Sequence, residues 1–325
     1  MSRNLVITAA DGQTGHLIAE LILTNDDFSK KINSLTVTSL HPESERIKEL
    51  KKKGANILET SLGNKEEIVE AFKDASIDTI CLIPPASANK RELTVEMLEA
   101  AKEAGVQNVL FLSAVGCDMA DEEKQPHLRE FIHLESLVLE CKGNTEVKTG
   151  HSPVVLRAGF YAENLLLYNK QAQGSGKIPL PAGDTHKFAP VALGDVAQLA
   201  AHVLTGEGPH GFSDQHRGQL MVLTGPMLAS GDELATAASD ALGIKLQYEN
   251  ISEEEARKIL DTQSDIDDSE KEFLLEYYSL VREGKTNYIS THSFHDITGS
   301  NPQEPTDFFK TYSAEFKPKR RKTSK

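Results

Sequence analysis

The sequence predicts an α/β fold, a Rossmann-type doubly wound parallel sheet followed by a smaller α+β part. Short apolar runs alternate with segments of helical spacing through roughly the first 160 residues. Several of those runs are apolar at consecutive positions, as expected where helices cover both faces of a sheet. A glycine-bearing turn joins the first run to the first helical segment, as in nucleotide-binding α/β folds.

The apolar runs are Leu5-Val6-Ile7, Leu35 to Thr38, Asn56 to Leu58, Thr79 to Ile83, Val109 to Leu112 and Val154 to Leu156. Between them lie stripes at helical spacing: Leu17, Ile18, Leu21 and Ile22; Ile47 and Leu50; Ile68, Val69 and Phe72; Leu93, Met97, Leu98 and Ala101; Phe131, Leu134, Leu137 and Val138. Strand and helix alternating every ~20–30 residues gives βαβ crossovers and a parallel sheet. Residues 1–157 are read as this Rossmann domain.

After Arg157 the pattern changes. Gly174, Gly176, Pro179, Pro181, Gly183 and Pro190 make residues 170–190 read as a loop-rich excursion, of the kind that serves as a substrate lid. A helix is expected from about Asp195, as its N-cap, through Val203. Leu220 to Leu223 reads as a strand. Ser230 to Glu233 and Ser252 to Glu255 have the spacing of capping boxes, and Gly243 closes the first of these helices. Phe273, Leu274, Tyr277 and Leu280 give Ser269 to Arg282 an amphipathic face. Residues 158–316 are thus expected to form a smaller part binding substrate or a partner, with some segments returning to the sheet.

Of the 325 residues, 35 are basic and 49 acidic, for a net charge of −14. Six of the basic residues fall in the last nine, 317–325. That tail reads as a disordered, solvated end, with a nuclear-import signal as the sharper alternative. The rest is more acidic still and repels phosphate backbones, so direct nucleic-acid binding by the folded part is not expected. Nothing approaches the run of about 18 apolar residues that a membrane span needs. The opening segment enters a strand directly, without secretory signal regions. Cys81, Cys117 and Cys141 are too few and scattered for a disulfide framework or a zinc site. No metal is expected, and a cytoplasmic location fits best, with the nucleus as the alternative.

The most informative segment is Leu5-Val-Ile-Thr-Ala9-Ala-Asp-Gly12-Gln-Thr-Gly15. A turn between strand and helix aims free backbone N–H groups and the positive helix end above the sheet, where a pyrophosphate fits. Gly12 lets the backbone approach the ligand and Gly15 lets the helix pack on the strand. Ala9 stands where the fingerprint has its first glycine, and its Cβ narrows the conformations open to a tight turn. The end of the second strand, Thr38 to Arg46, has no carboxylate directly at its tip. Ser39, His41 and Arg46 could take a 2′-phosphate, which favours NADP while leaving NAD open. Arg46 is equally readable as an exposed helix residue.

Together these residues resemble the NmrA-like family of atypical short-chain dehydrogenases/reductases. The resemblance rests on the Ala9–Gly15 turn, Cys81-Leu-Ile-Pro84-Pro85, Val109-Leu-Phe-Leu-Ser113-Ala-Val-Gly116, Leu156-Arg157-Ala-Gly-Phe160-Tyr-Ala-Glu163-Asn164-Leu-Leu166 and Val222-Leu-Thr-Gly-Pro226. It implies that Ala9, Ala10, Asp11, Gly12, Gln13 and Thr14 cradle the pyrophosphate and that Ser61 and Leu62 lie near the adenine. It further implies that Pro84, Pro85 and Ala86 lie beneath the nicotinamide ribose, with Tyr161, Ala162, Glu163 and Asn164 closing over the nicotinamide end. The sequence departs from the family in two places. Leu40 stands where an Arg is common, and no Lys occupies the helix after Ser113, where the matching position falls near Phe131 or His133.

Ordinary short-chain dehydrogenases pair Tyr with a Lys four residues on, so that the tyrosine can pass a proton as hydride arrives. No tyrosine of this chain has that partner. His133 and Ser113 are therefore the candidate catalytic residues, His133 because an imidazole can protonate an oxyanion near neutral pH. The bland reading of His133 is a wet helix histidine. His292 and His295 lack a partner at metal-ligand spacing, and no Gly-x-Ser-x-Gly supports hydrolase chemistry. The expected function is NAD(P)(H)-dependent oxidoreduction of a small organic substrate, for example in specialised metabolism. The alternative is a catalytically silent NADP(H) sensor read by a protein partner such as a transcription factor.

Overall fold

Along the first strand, β1 (Arg3–Ile7), side chains alternate between two apolar layers. Leu5 and Ile7 join Ile18, Ile22, Val196 and Leu199 in one, and Val6 joins Ile68, Phe72, Met97 and Ala101 in the other. A strand buried on both faces must be covered by helices on both sides, which the rest of the chain supplies. The computed structural model describes residues 3–58, 63–140, 153–263 and 266–318.

After β1 come α1 (Gln13–Thr24), α2 (Asp26–Ser29), β2 (Ile32–Val37), α3 (Glu45–Lys52), β3 (Asn56–Ile57), α4 (Lys65–Asp74), β4 (Thr79–Leu82), α5 (Lys90–Ala104), β5 (Asn108–Ala114), α6 (Pro126–Leu139) and β6 (Val154–Ala158). A 3-10 turn over Ala162–Tyr168 leads to α7 (Asn169–Ser175), β7 (Lys177–Leu180), α8 (Leu193–Thr205), β8 (Leu220–Leu223), α9 (Gly231–Leu242), β9 (Gln247–Asn250), α10 (Glu253–Leu260), α11 (Asp268–Arg282), α12 (His292–Thr298), α13 (Pro305–Thr311) and α14 (Ser313–Phe316). Seven strands form one sheet in the order β3-β2-β1-β4-β5-β6-β8, every pairing parallel. The order reverses beside β1, so a crevice opens at the C-terminal ends of β1 and β4.

Residues beyond β6 return to this sheet. β8 pairs with β6 as the seventh strand, and α8 packs against α1. Helices α7, α9, α10, α11, α13 and α14 gather in a second apolar cluster that includes Phe160, Phe188, Tyr277, Tyr278 and Phe308, while α12 packs against α8 through Phe294.

The structure differs from the sequence reading in two local respects. Residues 170–190 are not a loose excursion. They contain α7 and β7, β7 pairs with β9, and Leu180, Ala182 and Phe188 are fully buried. Proline survives there because a two-stranded sheet leaves its missing N–H on a free edge. Asp195 is not the N-cap of α8, which begins at Leu193 after Ala192. Its carboxylate instead accepts from the Gln303 amide at 2.7 Å, tying α8 to the segment before α13. Both capping boxes form as expected, at Ser230/Glu233 and Ser252/Glu255.

Burial pushes the Asp195 carboxyl from 3.8 up to about 6. The folded state therefore prefers the protonated form, and the group costs stability as pH rises from 3.8 through about 6. Asp195→Asn is expected to match wild type at the acid end of that window and to exceed it by about 1–3 kcal/mol near neutrality. Urea unfolding at the two pH values checks this, and an offset that does not change with pH would contradict it.

Candidate cofactor site and reaction cleft

The turn between β1 and α1 is set by one tight contact. A Cβ at Gly15 would lie 2.6 Å from the Ala9 carbonyl oxygen and 3.0 Å from Ala10 Cα, so only glycine lets α1 approach the strand. A Cβ at Gly12 would meet the same oxygen at 3.2 Å. Ala9 itself takes φ of 50°, the left-handed region, which costs a side-chain-bearing residue ~1–2 kcal/mol. Its neighbours hold it there: the Gly12 amide donates to the Ala9 carbonyl at 3.1 Å, and the Ala10 amide to the Thr38 carbonyl at 2.9 Å.

The start of α1 is left open. No side chain caps it, and its first turn has no acidic residue. Several other helix starts are closed by a side chain at the N-cap, among them Ser44, Asn64, Ser230, Ser252 and Asp267, while α5, α7, α12 and α13 share the lack of one. The Glu276 carboxylate accepts from the His127 and Leu128 amides of α6, and Glu163 from the Leu193 amide of α8. The residues thus fit a dinucleotide pyrophosphate: a glycine cradle that a Cβ would fill, and an uncapped helix end for the anion. Arg46 reaches across from α3 and donates to the Asp11 carbonyl at 2.9 Å, which brings a guanidinium to the loop. Ser39 and His41 lie at the end of β2, where the Ser39 hydroxyl accepts from the His41 amide at 2.8 Å. Leu40 faces a small apolar cavity with Ala9, Pro85 and Met97.

Thr14, at the foot of the loop, also lines a larger cleft over the ends of β4, β5 and β6. Pro84, Pro85 and Ala86 form one wall, Leu112 to Val115 the floor, and Phe160, Tyr161 and Asn164 a second wall. Phe131 of α6 and Ser269, Glu270, Phe273 and Tyr277 of α11 close it over. Among the described residues the one cation lining it is Lys90. Burial pushes the Tyr161 hydroxyl up to about 12, with the Thr14 side chain acting the other way.

The two expected catalytic residues are placed very differently. Ser113 lines the cleft, but its hydroxyl donates to Glu135 Oε1 at 2.5 Å. Glu135 is buried and held by Arg157 through two bonds of 2.8 and 2.7 Å, and Arg157 also pairs with Asp118 at 2.8 Å. A serine whose proton is committed to a fixed carboxylate presents lone pairs to the cleft and acts as an acceptor. His133 is on the exposed face of α6 and does not reach the cleft, which the same helix faces with Phe131 two residues earlier.

Among the residues expected at the nicotinamide end, Tyr161 and Asn164 line the cleft while Ala162 and Glu163 do not. Ala162 is buried against Pro190 and Phe308, and Glu163 caps α8 and accepts from the Tyr312 hydroxyl at 3.3 Å. Ser61 and Leu62 lie outside the described residues. Residues 173–190 do not cover the cleft, a task that falls to the first turns of α11. Sequence reasoning missed Lys90 and the Glu135–Arg157 pair. Lys90 had one legible signal, its position at the start of the helix that follows Pro84-Pro85-Ala86.

Comparison with known proteins agrees with this architecture. The sequence model of the NmrA-like family matches residues 1–314. The NAD(P)H azoreductase of Xenophilus azovorans is 24% identical over 284 residues, 87% of this chain and 91% of that protein. A festuclavine dehydrogenase of Aspergillus fumigatus is 26% identical over 264 residues, 75% of this chain and 80% of that one. In three dimensions the NADPH-dependent quinone oxidoreductase of Escherichia coli, complexed with NADPH, shares the fold with a TM-score of 0.76 at 20% identity, over 95% of this chain and 99% of that one. Triphenylmethane reductase of Citrobacter sp., complexed with NADP(H), does so with a TM-score of 0.74 at 19% identity, over 96% and 100% of the two chains.

Two substitutions test the loop. Gly15→Val drives two branches of carbon into the Ala9 carbonyl, so NADPH titrated in a calorimeter is expected to show no binding while the far-UV circular dichroism is preserved. Equal affinity would place the pyrophosphate elsewhere. Ala9→Gly relieves the left-handed strain and is expected to stabilise the fold by about 0.5–1 kcal/mol after the added freedom of the unfolded chain is deducted, with NADPH binding retained. A loss of stability in urea unfolding would contradict that account.

Proposed function

The chain belongs to the NmrA-like family, and on that premise we propose that it is an NAD(P)H-dependent oxidoreductase acting by hydride transfer on a small, flat, conjugated organic molecule. The observation that carries the reading is the continuity of phosphate loop and cleft through Thr14. A dinucleotide whose pyrophosphate sits at the open end of α1 has its reactive ring directed toward the strand ends that floor the cleft.

When bound, NAD(P)H supplies the hydride. The chain's own residues bind, orient and exclude water. The amides from Gly12 to Gly15 hold the pyrophosphate, and Ser39, His41 and Arg46 favour a 2′-phosphate, hence NADP over NAD. Pro84, Pro85 and Ala86 support the ribose, and Tyr161 and Asn164 bound the ring end. Phe131, Phe160, Phe273 and Tyr277 offer ring faces and edges to a flat acceptor and keep the cleft dry. Ser113, its proton held by Glu135, accepts a hydrogen bond from the bound ligand. The enzyme reading takes precedence over the sensing one because this lining is built for a second, aromatic ligand beside the cofactor. A protein partner is not part of the proposal. We place the protein in the cytoplasm. No helix among the described residues is long and apolar enough to cross a membrane.

The test is a panel of quinones, azo dyes and triarylmethane dyes with NADPH, followed at the nicotinamide absorbance. Oxidation of NADPH with at least one class is expected. Tight NADPH binding without turnover on any of them would contradict the proposal. Phe273→Ala should raise KM for the accepted substrate about tenfold while leaving NADPH affinity unchanged, since one aromatic face is worth about 1 kcal/mol or more.

A further inference from the structure

We propose that Lys90 is the proton donor of the reduction and that it selects neutral acceptors, quinones above all, over acceptors that already carry a positive charge; this rests on the reductase reading above. The hydroxyl hydrogens at the cleft are poorly suited. The Ser113 proton belongs to Glu135, and burial pushes the hydroxyls of Tyr161 and Tyr277 upward. His133 lies on the far face of its helix.

Lys90 is built into the wall. It opens α5, and its side chain is only 8% exposed. Its Nζ sits 5.2 Å from the ring centroid of Phe131 and 5.9 Å from that of Phe273, both of which line the cleft. It donates to the His127 carbonyl at 3.2 Å and pairs with Glu130 at 3.4 Å. An ammonium has three hydrogens, so one is left for the cleft that the residue lines. The charged groups acting on it are Glu130 of α6 and Glu276 of α11, the His127 ring being turned to Glu276 at 2.6 Å, and Glu270 of α11 lines the same cleft with its carboxyl pushed up by burial. Burial draws its pKa below the ordinary lysine value, against the pull of Glu130 and Glu276.

The chemistry separates two kinds of acceptor. Hydride delivered to a neutral quinone leaves an oxyanion, which a desolvated ammonium stabilises and protonates. Hydride from NAD(P)H and one proton from Nζ convert quinone to hydroquinone. NAD(P)H leaves as NAD(P)+, the N–H bond breaks as the O–H bond forms, and the neutral amine regains its proton from water through the partly exposed Glu130. A triarylmethyl or iminium cation is neutralised by hydride alone. It needs no proton, and a buried ammonium beside it repels the substrate.

Lys90→Met keeps length and apolar bulk, and Lys90→Arg keeps the charge over the rings but cannot release a proton. With a quinone, kcat is expected to fall about 100- to 10,000-fold in Lys90→Met and at least about tenfold in Lys90→Arg. NADPH affinity by calorimetry should stay within about twofold in both variants. With a cationic triarylmethane dye, Lys90→Met should lose less than about threefold or gain. The alkaline fall of kcat on quinone in the wild type should be absent in Lys90→Met, a change that a purely packing role would not produce. Active wild type with equal losses on quinone and dye, or no loss on quinone, would overturn the proposal and leave the reductase reading standing. A wild type inactive on every acceptor would overturn both.

Discussion

The distance between the Ala9 carbonyl and Gly15 is the constraint on which the rest of the molecule depends. With no side chain at position 15, α1 can start directly above β1, and its first amides are aimed over the crevice where the strand order reverses. A side chain there would push the helix away and turn those amides aside. The cost is concentrated at Ala9, which is forced into a left-handed conformation that glycine would adopt freely. Thr38, Gly12 and Arg46 brace the turn from three sides, so local strain is offset by bonds to elements far apart in sequence.

Four well-packed carboxylates in this protein are spent on architecture. Glu163 closes the start of α8, Glu276 the start of α6, Asp195 holds the segment before α13, and Glu135 is locked between Ser113 and Arg157. Glu276 joins α6 to α11 across residue 157, Glu163 and Asp195 tie the sheet-packing helix α8 to the segments around it, and Glu135 locks α6 onto β5 and β6. The chain beyond residue 157 is therefore fastened to the nucleotide-binding sheet by buried polar contacts as well as by β8. One consequence is chemical. With the Ser113 hydroxyl committed to Glu135 and the tyrosines held protonated by burial, the ionisable groups left lining the cleft are the lysine at the head of α5 and Glu270 of α11.

How much of this was legible in the sequence follows from what each feature depends on. The strands and helices of the first half announce themselves because their periodicity is local, and Gly12 and Gly15 because glycine at that spacing has few other uses. Pro84, Pro85 and Ala86 stand out as a motif at the end of a strand, and they line the cleft. The compactness of residues 170–190 was not legible, since Gly and Pro signal a turn whether or not the turn is buried, and the pairing of β7 with β9 joins residues about 70 positions apart. Nor was the commitment of Ser113, which needs Glu135 and Arg157 brought together by α6 and β6. His133 failed as a candidate by a rotation along one helix, since Phe131, two residues away, takes the inward face. Lys90 was overlooked because it comes from α5, while the family pattern directs attention to α6.

The central claim is that the open start of α1 and the cleft over β4 to β6 are two halves of one cofactor site. A crystal structure grown with NADPH tests it most directly. The account predicts pyrophosphate density against the amides from Gly12 to Gly15 and the nicotinamide between Pro84 and Tyr161. Density for the cofactor elsewhere, or side chains filling both sites in the presence of saturating NADPH, would contradict it.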